Sequence, residues 1–173
     1  MILENLRFSV TTVHVRFEDS SVSRRDQNFN FGLMADKITY SMTNNRFSRA
    51  FLNIDDKISE QKSFSMLIIN KFAMYWNSDA QENWTKSKDF GDLKAARVIS
   101  FSKKHMENLL MNHHNKKHDY THNSVFLIQP CDLTLKFRTN LAPHLRPEIP
   151  ESTIALETNE ILLSLDEEVY KDI

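Results

Sequence analysis

Glycine is almost missing from this chain. Two residues of 173, Gly32 and Gly91, leave few tight hairpins and no glycine-rich loop to cradle a phosphate or a dinucleotide. Cysteine is scarcer still. Cys131 stands alone, so no intrachain disulfide can form, and a reducing cytoplasm is the default expectation. No apolar run approaches the roughly 20 residues that span a bilayer, and the N-terminus carries no signal-peptide pattern, so a soluble or peripheral chain is expected. Charge of one sign is also lacking. The 22 Lys and Arg nearly balance 23 Asp and Glu, giving a formal net charge of −1 and no global field toward nucleic acid or an acidic membrane, with local basic patches left open. No nucleic-acid partner is expected.

What the chain does have is length in its strands. Leu6, Phe8 and Val10 alternate with Arg7 and Ser9, and then Val13, Val15 and Phe17 alternate with His14 and Arg16. Period-two alternation places one set on each face of a strand. The apolar set changes from even to odd at Thr11-Thr12, which an inserted residue, a β-bulge, accommodates. The next stretch repeats the habit: Phe29, Phe31, Leu33 and Ala35 are odd, Ile38, Tyr40 and Met42 are even, and the break falls at Asp36-Lys37. The two stretches predict a long, bent antiparallel hairpin with one apolar face.

Further strands are predicted at Phe47 to Ile54 (weak), Ser63 to Trp76, Val125 to Arg138 and Thr153 to Leu165. The Ser63–Trp76 stretch keeps one even apolar set: Phe64, Met66, Ile68, Phe72, Met74 and Trp76. Its odd side carries Leu67, Ile69, Ala73 and Tyr75, so its middle is apolar on both faces, as in a central strand. Pro130 lacks a ladder donor and predicts an edge position or a bulge. Residues 98–123 read as an insertion with a short amphipathic helix from Ser102 and a His-rich loop; a second helix starts near the C-terminus. The whole chain, 1–173, reads as one segment.

Four of these strands run to about 12–14 residues, against a typical five or six, which makes each about 40 Å long. One short helix is too little to cover them. Their apolar faces must pack on each other as a closed sandwich or barrel, the usual fate of alternating sheets, or stay open and curved around an apolar ligand.

The order of motifs resembles the chorein, or vacuolar-protein-sorting-thirteen, family of bridge-like lipid transfer proteins. Val13-His14-Val15-Arg16-Phe17-Glu18-Asp19 is similar to that family's hydrophobic-His-Ile-Arg-Tyr-Glu-Asp run. Phe29-Asn30-Phe31-Gly32 follows where the family has Phe-Ser-Phe-Gly. Tyr75-Trp76-Asn77, Gln129-Pro130 and Val169-Tyr170 match later family positions in order and spacing, so the likeness covers nearly the whole chain. It departs where Phe47 replaces a Trp and where Cys131-Asp132 follow Gln129-Pro130. The family's amphipathic N-terminal helix is not found before this region, so membrane docking by that route is not expected of this segment.

The resemblance implies a mainly β fold: long, bent antiparallel strands in an open, taco-like, repeating β-groove, with one short helix. It implies glycerophospholipid cargo and non-vesicular transport. It also implies a peripheral location at organelle membrane contact sites, reached through other parts of a longer protein and through adaptors that the sequence does not name. The lipid-binding floor expected on this reading is Leu6, Phe8, Val10, Val13, Val15, Phe17, Phe29, Phe31, Leu33, Ile38, Tyr40, Met42, Phe64, Met66, Ile68, Phe72, Met74, Trp76, Leu133, Leu135, Phe137, Ile154, Leu156, Ile161, Leu163 and Leu165.

No chemistry is expected. No nucleophile–base arrangement or cofactor fingerprint is present. His114, His118 and His122 would share one helical face and suit zinc or copper, but Asn115, Asp119 and Asn123 are poor helix formers and no cysteine joins them. A solvated loop is expected there, and no metal site. His14 sits among the polar set and is expected to be exposed. Cys131 reads as a small core residue. Asp55-Asp56, Glu167-Glu168, Arg24-Arg25 and Lys116-Lys117 read as solvated charges, the basic pairs with a second possibility of touching lipid phosphates.

Overall fold

The computed structural model describes residues 5–19, 29–49, 61–77, 104, 107, 124–165, 167 and 170. Five strands form a single open sheet in chain order: β1 (Arg7–Asp19), β2 (Phe29–Thr43), β3 (Lys62–Asn77), β4 (Ser124–Asn140) and β5 (Ser152–Thr158). β1 and β5 are its edges, and among the described residues no strand closes it into a barrel. β1 to β4 span 13 to 17 residues, so the long strands read from the alternation are present.

Two compact units divide the chain. Unit 1 is Met1–Thr11, Lys37–Asn70 and Asp132–Asn159; unit 2 is Thr12–Asp36, Lys71–Cys131 and Glu160–Ile173. The divisions fall inside four strands. In β1 and β2 they coincide with the changes of parity at Thr11-Thr12 and Asp36-Lys37. Thr12 carries the irregularity in β1, with φ of 57°, in the left-handed region that costs a side-chain-bearing residue about 1–2 kcal/mol. Lys71 does the same in β3, with φ of 50°.

Several expectations change. The weak strand at 47–54 is a turn in its described part: Phe47 has φ of 57°, and the Asn44 side-chain oxygen accepts from the Arg46 and Ser48 amides. An asparagine that satisfies two backbone donors removes the need for a ladder there. β4 runs through Pro130 as an interior strand. On the β5 side the ladder runs from Leu133 to Thr139 and is followed by a lone bridge from Ile128 to Leu163; the Gln129 amide donates to Leu162 there, so by alternation the Pro130 nitrogen faces β3. The last strand is therefore shorter than Thr153–Leu165. Of the helix predicted from Ser102, Lys104 and Glu107 are described and are helical, as are Glu167 and Tyr170 near the C-terminus. The remainder of 98–123, with His114, His118 and His122, lies outside the described residues. So do Arg24-Arg25, Asp55-Asp56, Lys116-Lys117 and Glu168.

Candidate functional site

In unit 1 the apolar set of β1 meets that of β2. Phe8 stacks on Tyr40 with ring centroids 5.3 Å apart, and the Met42 amide donates to the Leu6 carbonyl. Across β4 and β5, Leu135 pairs with Leu156 and Phe137 with Ile154. The alternate residues lie on the other face. There Ser9 bonds Thr39, Lys136 forms a 2.6 Å ion pair with Glu157, and Arg138 donates to Thr153.

That second face corrects the reading of β3. Lys136 sits over the Phe47 ring, and Phe47 packs edge-on against Phe64. Phe64 therefore shares the face of Lys136. Alternation places Met66 and Ile68 with it and gives Leu67 and Ile69 to the side of Leu135. In unit 2 the even set of β3 is apolar-facing, since Trp76 stacks on Phe31 and Phe31 packs on Phe17. The parity of β3 thus changes at Lys71, where the backbone turns left-handed. Leu133, Phe72, Met74, Leu33 and Ile38 are half-buried, as is Val13. The Phe29 and Val125 side chains lie outside the described residues.

The burial is inverted relative to an ordinary one-faced sheet. Exposed side chains include Phe8 (48%), Val15 (61%), Ile154 (62%) and Leu156 (54%), together with Leu6, Val10, Phe17, Ile161, Leu163 and Leu165. Buried ones include Asn30, Thr39, Ser41 and Thr43, all in the alternate set of β2. Hydrophobic burial normally sorts the other way. Large apolar side chains left open on a strand face are the mark of an interaction site.

Unit 2 also holds a packed centre of Met34, Ala73, Tyr75 and Phe126. Tyr75 is fully buried, and its ring lies against Gly32. His14 is drawn in with it. Its Nε2 is 2.8 Å from the Tyr75 hydroxyl, with the rings 5.8 Å apart. The expectation of an exposed His14 is corrected by this contact with a residue 61 positions away. Burial, and secondarily the neighbouring Arg16 charge, lower its pKa to about 4. The imidazole is therefore neutral at pH 7, and the phenol can donate to it. The unfolded chain takes up a proton near pH 6.5 and the folded chain does not until about pH 4. Stability is then fully present above about pH 6.5 and falls as pH drops toward 4, by on the order of 2 kcal/mol after allowing for partial exposure. Chemical denaturation at pH 7.5 and pH 4.5 tests this: His14→Gln should flatten the difference, and an unchanged slope in that variant refutes the assignment.

Cys131 is half-buried and its thiol lies 3.6 Å from the Phe72 carbonyl. Among the described residues no group of three His, Cys, Asp or Glu side chains is placed to hold a metal, and no helix is long and apolar enough to cross a membrane.

No family model matches the chain. It is similar to the intermembrane lipid transfer protein tipC of Dictyostelium discoideum, 25% identical over 193 aligned positions. The alignment takes in 99% of this chain and 5% of that protein, so the chain spans a small fraction of its relative's length. This is a distant relationship to a lipid transfer protein.

Proposed function

We propose that this chain is a lipid-carrying segment of a longer, chorein-type bridge-like lipid transfer protein. Its apolar faces hold glycerophospholipid tails during non-vesicular transport between organelle membranes. It works from the cytoplasm at contact sites, where other parts of the protein and adaptors place it. The observation that carries the reading is the inverted burial: aromatic and aliphatic residues open to solvent along long strands, with Asn and Thr buried on the alternate set. The distant likeness to tipC supports it.

The role requires no bond to be made or broken, and we propose no enzymatic activity. Each tail methylene removed from water contributes about 0.8 kcal/mol, so a single acyl chain supplies ample affinity. A surface of Phe, Leu, Val, Ile and Met binds tails by area alone. It has few directional groups to fix one position, so bound lipid can slide.

Mass spectrometry of lipid extracted from tag-free protein tests the proposal. Several glycerophospholipids, near or above equimolar amounts, are expected. Their clean absence from folded, monomeric protein prepared without detergent overturns it and leaves an interaction module whose apolar face receives a protein.

A further inference from the structure

We infer that the β4–β5 connection of unit 1, residues 141–151, is a membrane-docking loop that inserts Leu141 and Leu145 into an anionic phospholipid surface. The loop is built around one buried side chain. Asn140, 5% exposed, donates from Nδ2 to the carbonyls of Arg146 and Ile149 and accepts the Ala142 amide at Oδ1. The Leu145 and Arg146 amides both donate to the Ala142 carbonyl, and the Asn140 amide donates to Glu151 across the base. Leu141 is tied in turn to Gln61 at the start of β3. Pro143, Pro147 and Pro150 each fix one backbone angle. Such a loop is rigid before it meets anything.

That order leaves two of its apolar side chains in the open. Leu141 and Leu145 are 53% and 62% exposed, while Ala142 between them is buried. Two isolated leucines are far too little for a stable protein interface, which needs about 800 Å² on each partner. They do suit a bilayer, where a few inserted side chains and nearby cations act together. The charge at this end of unit 1 agrees. Among the described residues Arg46, Arg49, Lys62, Arg138 and Arg146 stand against Glu148 and Glu151, five cations to two anions. Arg46 is held by the Asn44 turn, which closes at Ser48 one residue before Arg49, and Arg146 by the Asn140 hub.

The inference goes beyond lipid carriage, and vesicle flotation separates the two. The probe is phosphatidylcholine vesicles, with and without about a third phosphatidylserine. The wild-type chain should float with the anionic vesicles and much less with the neutral ones. Leu141→Ser/Leu145→Ser should lower flotation by about tenfold or more, and so should Arg146→Glu, whose exposed side chain leaves the fold alone. Both variants should keep the circular dichroism and the extracted lipid of the wild type. Wild-type flotation in folded variants, equal flotation on neutral vesicles, or no flotation of the wild type overturns the docking loop. Loss of self-association in the leucine variant without any vesicle binding overturns it in favour of a second copy of this chain. Absence of extracted lipid bears on the carriage reading instead.

Discussion

Leu135→Glu is expected to strip bound lipid from the protein, while Ala155→Glu leaves the lipid in place. Leu135 lies on the apolar face of unit 1, opposite Leu156, with Phe137 and Ile154 as the next pair. A carboxylate among acyl chains has no partner there and costs several kcal/mol against the tails. Ala155 is one residue from Leu156 and on the alternate face, across from Lys136, so an added carboxylate meets solvent and a cation. Lipid content per protein should fall about tenfold or more in the first variant and stay within about twofold in the second. Leu156→Glu repeats the test at a position already 54% exposed, where the fold has little to lose. Both floor variants should remain β-rich by circular dichroism. Wild-type lipid content in folded Leu135→Glu and Leu156→Glu would sink the proposed role for this face.

Gly32→Ala should be strongly destabilising for so small a change. A Cβ built at Gly32 would lie 2.5 Å from two ring carbons of Tyr75 and 2.6 Å from its hydroxyl oxygen. The backbone of Gly32 is not left-handed, so its role is the absence of a side chain, not conformational freedom. Tyr75 cannot move aside cheaply. It is fully buried, packed with Met34, Ala73 and Phe126, and bonded to His14. Overpacking of this kind costs about 1–3 kcal/mol, which for a chain of this size lowers the Tm by roughly 2–12 °C. A shorter residue at position 75 should relieve it. In a Tyr75→Leu background the Gly32→Ala penalty should nearly vanish, because the two changes share one contact. An equal penalty in both backgrounds would assign Gly32 to some other cause.

The sequence was informative where polarity contrasts were strong. In β1 and β2, Arg7, Ser9, His14 and Arg16 mark the polar set, so the change of parity can be read directly and falls where the structure divides the strands. β3 offers no such contrast. Met66, Leu67, Ile68 and Ile69 are all apolar, so nothing in them distinguishes one face from the other. The left-handed backbone at Lys71 is what moves Phe64 to the side of Lys136. The signal that could have suggested it is the polar pair Asn70-Lys71 inside an apolar run. His14 was illegible for a different reason: its surroundings come from β3, and local alternation says only that it does not share the face of Val13 and Val15. Thr39, Ser41 and Thr43 illustrate the same limit, since a polar set is read as solvent-facing whenever the partner that buries it is distant in the chain. Asn140 carries no alternation signal; its place just before the proline-rich stretch is what lets it serve as a hub for that stretch's carbonyls and amides.

The order of the strands bears on how the molecule is made. Each strand pairs with its neighbour in the chain, so the sheet can grow by one strand at a time. From β2 onward each strand finds a partner already made when it emerges, which keeps most contacts local and favours rapid formation. The 46 residues between Asn77 and Ser124 lengthen one closure only. Loop entropy rises logarithmically, at about 0.6 kcal/mol for each doubling, so β4 can join the growing edge at modest cost. A ribosome releasing this chain from the N-terminus would present β1 to β3 as a ready template before β4 and β5 emerge.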